Sequence, residues 1–227
     1  MVNKNNLAII PARGGSKRIP KKNIKDFLGK PVIAYSIEAA LRSGLFEEVM
    51  VSTDDKEIAE TAMKYGAKVP FFRSSETSND FAPLNDVLKE VVSEYKKRGR
   101  EFDLICLILP TAPLITPDNL RKGYELINNS GFDSVRPVVR FGFPIQRSFR
   151  LNEDSSVEPV FPEEFPKRSQ DLEPAFHDSG QFYWIKGDKD LSFNKGAFEI
   201  SETEGQDNDN ETDWKLAELK FKLLYND

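Results

Sequence analysis

Apolar positions alternate between two periods along the first 140 residues. Residues 7–10 (Leu-Ala-Ile-Ile) form an unbroken apolar run that stops at Pro11, the pattern of a strand buried on both faces. Ile33, Ile37, Ala40 and Leu41 then recur at helical spacing between Pro31, a first-turn proline, and Gly44, a helix-ending glycine. Residues 49–51 are a second strand. Asp54 or Asp55 caps a helix carrying Ile58, Ala62 and Tyr65, which Gly66 closes. Residues 69–72 read as a short third strand, residues 73–80 as a polar loop, and Leu84, Val87, Leu88, Val91, Val92 and Tyr95 as a longer helix. Residues 104–109, the most apolar stretch, form a central strand that ends at Pro110-Thr111-Ala112-Pro113. Thr116 and Pro117 open another helix, which ends within 128–131, and residues 134–139 return to strand. This β-α alternation predicts a parallel sheet with helices on both faces.

The pattern breaks at residues 140–177. Five prolines and several aromatics replace periodicity there. A structureless insertion of this length is usually functional or ordered by a partner. Phe141, Phe143, Phe161 and Phe165 suit an oligomer surface, and a β-hairpin packed on its own domain fits the periodicity equally well. Residues 181–185 and 197–200 are strands again. Thr212 is the expected cap of a final helix running to about Leu224.

Composition narrows the field. With 227 residues the chain can build one α/β domain with an elaboration. A net charge of -5 argues against a general nucleic-acid binder, which needs a basic face. No apolar run approaches the ~20 residues that span a bilayer, and the single cysteine, Cys106, lies in an apolar strand where it fills core; the expected compartment is the cytoplasm.

Two local charge runs oppose each other. Arg13, Lys17, Arg18, Lys21, Lys22 and Lys25 place six cations within thirteen residues, around Gly14 and Gly15, directly after the first strand. Glycines there let backbone amides approach an anion, so the loop suits a small polyanion such as a nucleotide. It is neither a P-loop nor a G-x-G-x-x-G fingerprint. Glu202, Glu204, Asp207, Asp209, Glu211 and Asp213 supply six acids in twelve residues. Most such runs are solvated, yet Asp207 and Asp209 project to one side of an extended chain and can share one hard cation, Mg2+ being suited to carboxylates plus phosphate oxygens. Together the two runs are complementary halves of a magnesium nucleotide site.

The motifs PARGGSKRIPKKN at 11–23, VSTDD at 51–55, LPTAPL at 109–114 and QDND at 206–209 followed by Thr212-Asp213-Trp214 give the chain a resemblance to the acylneuraminate cytidylyltransferase (CMP-sialic acid synthetase) family. Residues 168–184, RSQDLEPAFHDSGQFYW, are most similar to its branch that acts on pseudaminic acid, with residues 144–147 (Pro-Ile-Gln-Arg) in support. The resemblance implies a Rossmann-like three-layer α/β nucleotidyltransferase fold with a mainly parallel central sheet. The chain would be a single domain, 1–227, with 140–178 as a dimerisation and sugar-binding insertion. The implied reaction is transfer of CMP from CTP to the anomeric hydroxyl of an acidic nonulosonic sugar, with release of pyrophosphate.

By the same resemblance Arg13, Lys17 and Lys22 act on the triphosphate, and Ala12, Gly14, Gly15, Asn23, Arg73, Asp80 and Ala82 contact the nucleotide. Asp207 and Asp209 bind magnesium. Arg168 meets the sugar across a homodimer interface, with His177, Gln181 and Tyr183 beside it. Pro83 and Leu84 stand where relatives carry small hydroxyl residues near the ribose, and Leu109 and Ile115 replace polar residues of sialic acid enzymes, which argues for another acid sugar. Legionaminic, sialic or 3-deoxy-octulosonic acid, or a non-catalytic nucleotide binder of the same fold, are the alternatives. Composition does not choose the base; only the resemblance specifies cytosine.

Overall fold

The computed structural model describes residues 5–16, 19–79, 81–192 and 194–225. In chain order the elements are β1 (Asn6–Pro11), β2 (Asp26–Phe27), β3 (Lys30–Pro31), α1 (Val32–Ser43), β4 (Glu48–Ser52), α2 (Lys56–Lys64), α3 (Ser75–Ser78) and α4 (Leu84–Lys97). They continue as β5 (Leu104–Ile108), α5 (Pro117–Asn129), β6 (Ser134–Arg140), β7 (Phe149–Leu151), β8 (Val157–Pro159), β9 (Phe176–Asp178), β10 (Phe182–Lys186), β11 (Lys195–Ile200) and α6 (Glu211–Tyr225). No helix among them is long and apolar enough to cross a membrane.

The central sheet runs β11-β6-β10-β5-β1-β4, with β9 on β6. β1 pairs in parallel with both neighbours, as its fully buried apolar run requires. The expected mainly parallel sheet is corrected here: β10 lies antiparallel between β5 and β6, and β9 is antiparallel to β6, so the sheet is mixed. The reason is local. No helix crosses between β9 and β10, only the turn at Ser179–Gln181, where Gly180 takes the left-handed φ of +67°. That reversal brings the start of β10 to the carboxyl edge of β5, where Phe182 pairs with Ile108. Residues 69–72 also fail to form a strand. Only Lys68 bridges to Met50, because Pro70 has no N–H to continue a ladder. The final helix is capped by Asn210, whose Oδ1 accepts the Thr212 and Asp213 amides, rather than by Thr212. Within residues 140–178, β7 and β8 form a two-stranded antiparallel hairpin.

Three cores hold the layers. α1 and α5 cover one sheet face, where Trp184 is fully buried, stacks on Phe46 at 5.2 Å and donates to the Leu120 carbonyl at 3.1 Å. On the other face, Val87, Leu88, Val91 and Tyr95 of α4 pack on β1, β4, β5 and Ile185 of β10. A third, smaller core joins the chain after the cationic loop to α6 through Ile19, Phe27, Val32, Tyr35, Trp214 and Ala217.

Two substitutions test this packing. Gly123→Ala in α5 ordinarily favours a helix by ~1 kcal/mol. Here the new methyl would meet Trp184 Cδ1 at 2.7 Å and Phe182 Cε2 at 3.0 Å, so the variant is expected to lose about 1–3 kcal/mol in urea unfolding. Trp214→Ala, at a side chain 3% exposed, is expected to lose about 3–5 kcal/mol by the same measurement.

Candidate functional site

The carboxyl ends of β1, β4 and β5 face a pocket of about 230 Å³ whose lining includes Arg13, Ser16, Lys22, Asn23, Arg73 and Ala82. Each reaches it for a local reason. The Ala12 amide donates to the Ser52 carbonyl at 2.9 Å, extending the β1–β4 ladder by one residue and leaving Ala12 itself buried. Gly14 N donates to Asp54 Oδ1 at 3.0 Å, and Asn23 Nδ2 donates to the Arg13 carbonyl at 2.9 Å. These bonds tie the loop to the end of β4 and to its own exit, so Arg13 projects from a fixed backbone. Asp55, whose Oδ1 accepts the Glu57 and Ile58 amides, is the cap of α2.

Arg73 is a buried cation at the site. It donates through Nη2 to the Ser52 carbonyl at 2.6 Å and through Nε to Ser52 Oγ at 3.1 Å. Burial pulls its pKa down to about 10, against the opposing charges of Asp54 and Glu90, so it stays protonated at neutral pH. A charge taken this far out of water is costly unless it has a task or partners.

The acidic turn adjoins the pocket through two of its lining residues, Thr111 and Lys22. Asn208 is fully buried and donates to the Thr111 carbonyl at 2.8 Å, which fixes Asp207 and Asp209 on either side of it. Lys22 Nζ lies 3.5 Å from Asp209 Oδ1, joining the two charge runs across 187 positions of sequence. Asp213 serves the turn itself, accepting the amides of Asp209 and Asn210 at 3.1 Å. Partial desolvation, and then the neighbouring charge of Asp209, hold the Asp207 carboxyl above its ordinary range, while Lys22 works the other way. Among the described residues no group of three or more His, Cys, Asp or Glu could hold a metal. Two hard carboxylates without a third protein ligand fit an ion that completes its shell with water and phosphate oxygens.

The remaining expected residues divide. Gly14 and Gly15 lie in the loop beside the pocket, while Lys17 and Asp80 lie outside the described residues. Arg168 is on an exposed turn, paired to Asp171 at 2.8 and 3.2 Å. His177, on β9, donates from Nδ1 to the Asp178 carbonyl and packs edge-on against Phe141. Gln181 is buried, its amide donating to the Glu204 carbonyl. Tyr183 is half-buried on β10, held up in pKa by burial and by Asp178. Sequence reading missed the anchoring role of Asn208. Asn208 was visible only as the spacer of the D-x-D pair.

A sheet whose parallel strands end at a cationic glycine loop, faced by a carboxylate pair, defines a nucleotidyltransferase of the α/β class. Residues 7–190 match the cytidylyltransferase family, and the chain belongs to it. It is 42% identical over 224 residues to a pseudaminic acid cytidylyltransferase of Campylobacter jejuni, covering 96% of this chain and 97% of that one. It is 34% identical to a CMP-N,N'-diacetyllegionaminic acid synthase of Legionella pneumophila, covering 96% of each. A solved structure of CMP:2-keto-3-deoxy-manno-octonic acid synthetase complexed with CTP has the same fold, with a TM-score of 0.70 over 97% of this chain and 99% of that one at 20% identity.

The raised Asp207 carboxyl has a thermodynamic consequence with a definite sign. The unfolded carboxylate ionises near its ordinary value of 3.8, whereas the folded one resists, so ionisation costs stability as pH rises through the folded pKa. Asp207→Asn is therefore expected to raise the melting temperature of the metal-free protein at neutral pH. The gain should disappear below the ordinary carboxylate range, where both side chains are neutral. Calorimetry between pH 3 and 8 measures it.

Proposed function

We propose that this cytidylyltransferase uses CTP to activate pseudaminic acid, giving the CMP-sugar and pyrophosphate. The approach of Lys22 to Asp209 carries the site reading, because it makes one cleft of the cationic loop and the acidic pair. Near full-length similarity to the Campylobacter enzyme supports the choice of sugar.

The anomeric hydroxyl of the sugar attacks the α-phosphorus of CTP, and the bond to the bridging oxygen of pyrophosphate breaks. Such transfer depends on positioning and on charge stabilisation rather than on covalent help from the protein. Arg13 offers a planar fork to the phosphate oxygens and Lys22 a point charge. Gly14, Gly15 and Asn23 keep the loop backbone close to the phosphates. Arg73 and the backbone at Ala82 take the base and ribose, with Ala12 beneath, and Lys17 and Asp80 complete the nucleotide contacts. Asp207 and Asp209 hold magnesium, which supplies neutralisation of the phosphate charge when bound.

On the sugar side we place Tyr183, His177 and Gln181, the last through the oxygen that has no partner among the described residues. The chain acts as one domain, with residues 140–178 meeting a second copy so that Arg168 of one protomer serves the other's sugar. Exposed Phe143, Phe149, Leu151 and Val157 support a homodimer built on the β7–β8 hairpin. The cytoplasm, where CTP is made, is the compartment that suits this reaction.

Pyrophosphate release with magnesium, assayed with four ribonucleoside triphosphates against a panel of acid sugars, tests the reading. Turnover is expected with CTP and pseudaminic acid, and a preference for legionaminic acid would reassign the sugar. Asp209→Ala should lower kcat by about 10²–10³ or more while the protein stays folded. Near-normal turnover in that variant would remove the acidic pair from the mechanism.

A further inference from the structure

Arg136 lies on β6, outside the nucleotide pocket. β6 and β10 are antiparallel, with Trp184 opposite Val135 and Ile185 opposite Ser134. One step further along that register sets Tyr183 against Arg136. The guanidinium carbon lies 4.8 Å from the centre of the Tyr183 ring, and Nη1 donates to Asp178 Oδ2 at 3.2 Å. Asp178 Oδ1 accepts the Gly180 amide at 2.9 Å, and burial and then the charge of the same carboxylate hold the Tyr183 hydroxyl above its ordinary pKa. Arg136 is thus held on two sides, its side chain 22% exposed.

This group adjoins the acidic turn. A Cβ placed on Gly180 would lie 3.4 Å from Cβ of Asp207, so the 178–180 turn passes directly against Asp207. The Asp207 charge is also felt at the Tyr183 hydroxyl. The sheet face that carries Arg136 is covered by α4 only as far as β10. Beyond it, on β6 and β11, Val138 is half-buried and Ala197 and Glu199 are exposed.

A structural role does not account for Arg136. The backbone pairing of Val138 with Asp178, Val139 with His177 and Arg140 with Phe176 already fixes β9 on β6. A guanidinium carries five N–H donors, and Arg136 commits one of them to a partner among the described residues. Stacking on an aromatic face and pairing with a carboxylate fix its orientation in advance, which reduces the ordering cost of receiving an anion.

The substrate of the proposed reaction has an anion at a constrained place. In the ring form of an α-keto acid sugar, one carbon bears both the attacking hydroxyl and the carboxylate. That carboxylate must therefore lie beside the acidic pair, on the side away from the triphosphate. Arg13 and Lys22 line the nucleotide pocket, and within one protomer Arg168 stands on an exposed turn paired to Asp171, available only to the sugar of a second copy. We infer that Arg136, oriented by Asp178 and Tyr183, receives the carboxylate of the acid sugar. The inference rests on the reaction proposed above and names the specificity contact of that site.

The test compares the acid sugar with its 1-carboxamide, in the wild type and in Arg136→Met and Arg136→Lys. Wild type is expected to prefer the acid. Arg136→Met should raise the sugar KM about 30-fold or more, leave the CTP KM within about twofold, and lose the preference for acid over amide. Lysine should restore part of that preference. Unchanged CTP affinity, measured by calorimetry, shows that the variants are folded. Wild-type turnover with an undiminished preference for the acid in Arg136→Met overturns the assignment alone. Absence of turnover with every acid sugar overturns the proposed function and this inference with it.

Discussion

The site depends on an aromatic clamp. Phe27 meets Tyr35, Trp214 and Phe221 edge-on at 5.3, 5.6 and 5.7 Å, and the Tyr35 hydroxyl donates to the Phe27 carbonyl at 2.7 Å. Burial pushes the Tyr35 pKa up to about 12, so its hydroxyl remains a donor throughout the physiological range. Edge-to-face pairs of this kind add ~0.5–1.5 kcal/mol each to the area they bury. What they secure is a relationship rather than stability alone: α6, which follows the acidic turn, is held against the segment that follows the cationic loop. Lys25 reinforces the joint, lying 4.6 Å from the Trp214 ring centre and 2.7 Å from Glu211. With Asn208 anchored to Thr111 as well, Asp207 and Asp209 have little freedom to leave the cleft.

A second constraint comes from the one reversed strand on the main path of the sheet. Were β10 parallel to β5, its amino end would lie at the far edge, away from the nucleotide. Being antiparallel, it starts at the carboxyl edge, and so Ser179, Gly180 and Gln181 lie next to the acidic turn. The nucleotide side of the cleft is built by β1, β4 and β5 in the usual manner of open α/β sheets. The other side is built by the reversal. Parallel and antiparallel pairing therefore meet at one edge of the sheet, where the candidate site lies.

The cationic loop and its place beside the candidate site were legible in the sequence because their signals are local. An apolar run ending in Pro11, a glycine pair and clustered cations need no knowledge of distant residues, and the D-x-D pair stands out by charge alone. The reversal of β10 was not legible, since helical alternation stops at residue 140 and nothing in residues 141–175 states how the chain returns. Residues 69–72 look like a strand by apolarity, but Pro70 decided against one. At the last helix the expected cap, Thr212, lies two residues after Asn210, whose side chain takes the free amides instead. Arg136 and Asp178 were invisible for a different reason. Each is an ordinary charged residue in an ordinary strand, and only the β6–β10 and β6–β9 registers bring them together.

The electrostatics of the cleft set function against stability. Arg73 is kept charged in a place that disfavours charge, and Asp207 is partly buried and then set beside a like charge, both of which disfavour its ionisation. Neither arrangement lowers the free energy of the empty protein. Under the proposed function each becomes favourable when an opposite charge arrives, an anion at Arg73 and a cation at the acidic pair. A cleft already holding its charges in place needs little reorganisation when the triphosphate binds, and this is where charge stabilisation of phosphoryl transfer draws its strength. The aromatic clamp and the buried ends of β1, β4 and β5 supply the stability that offsets the cost of holding these charges.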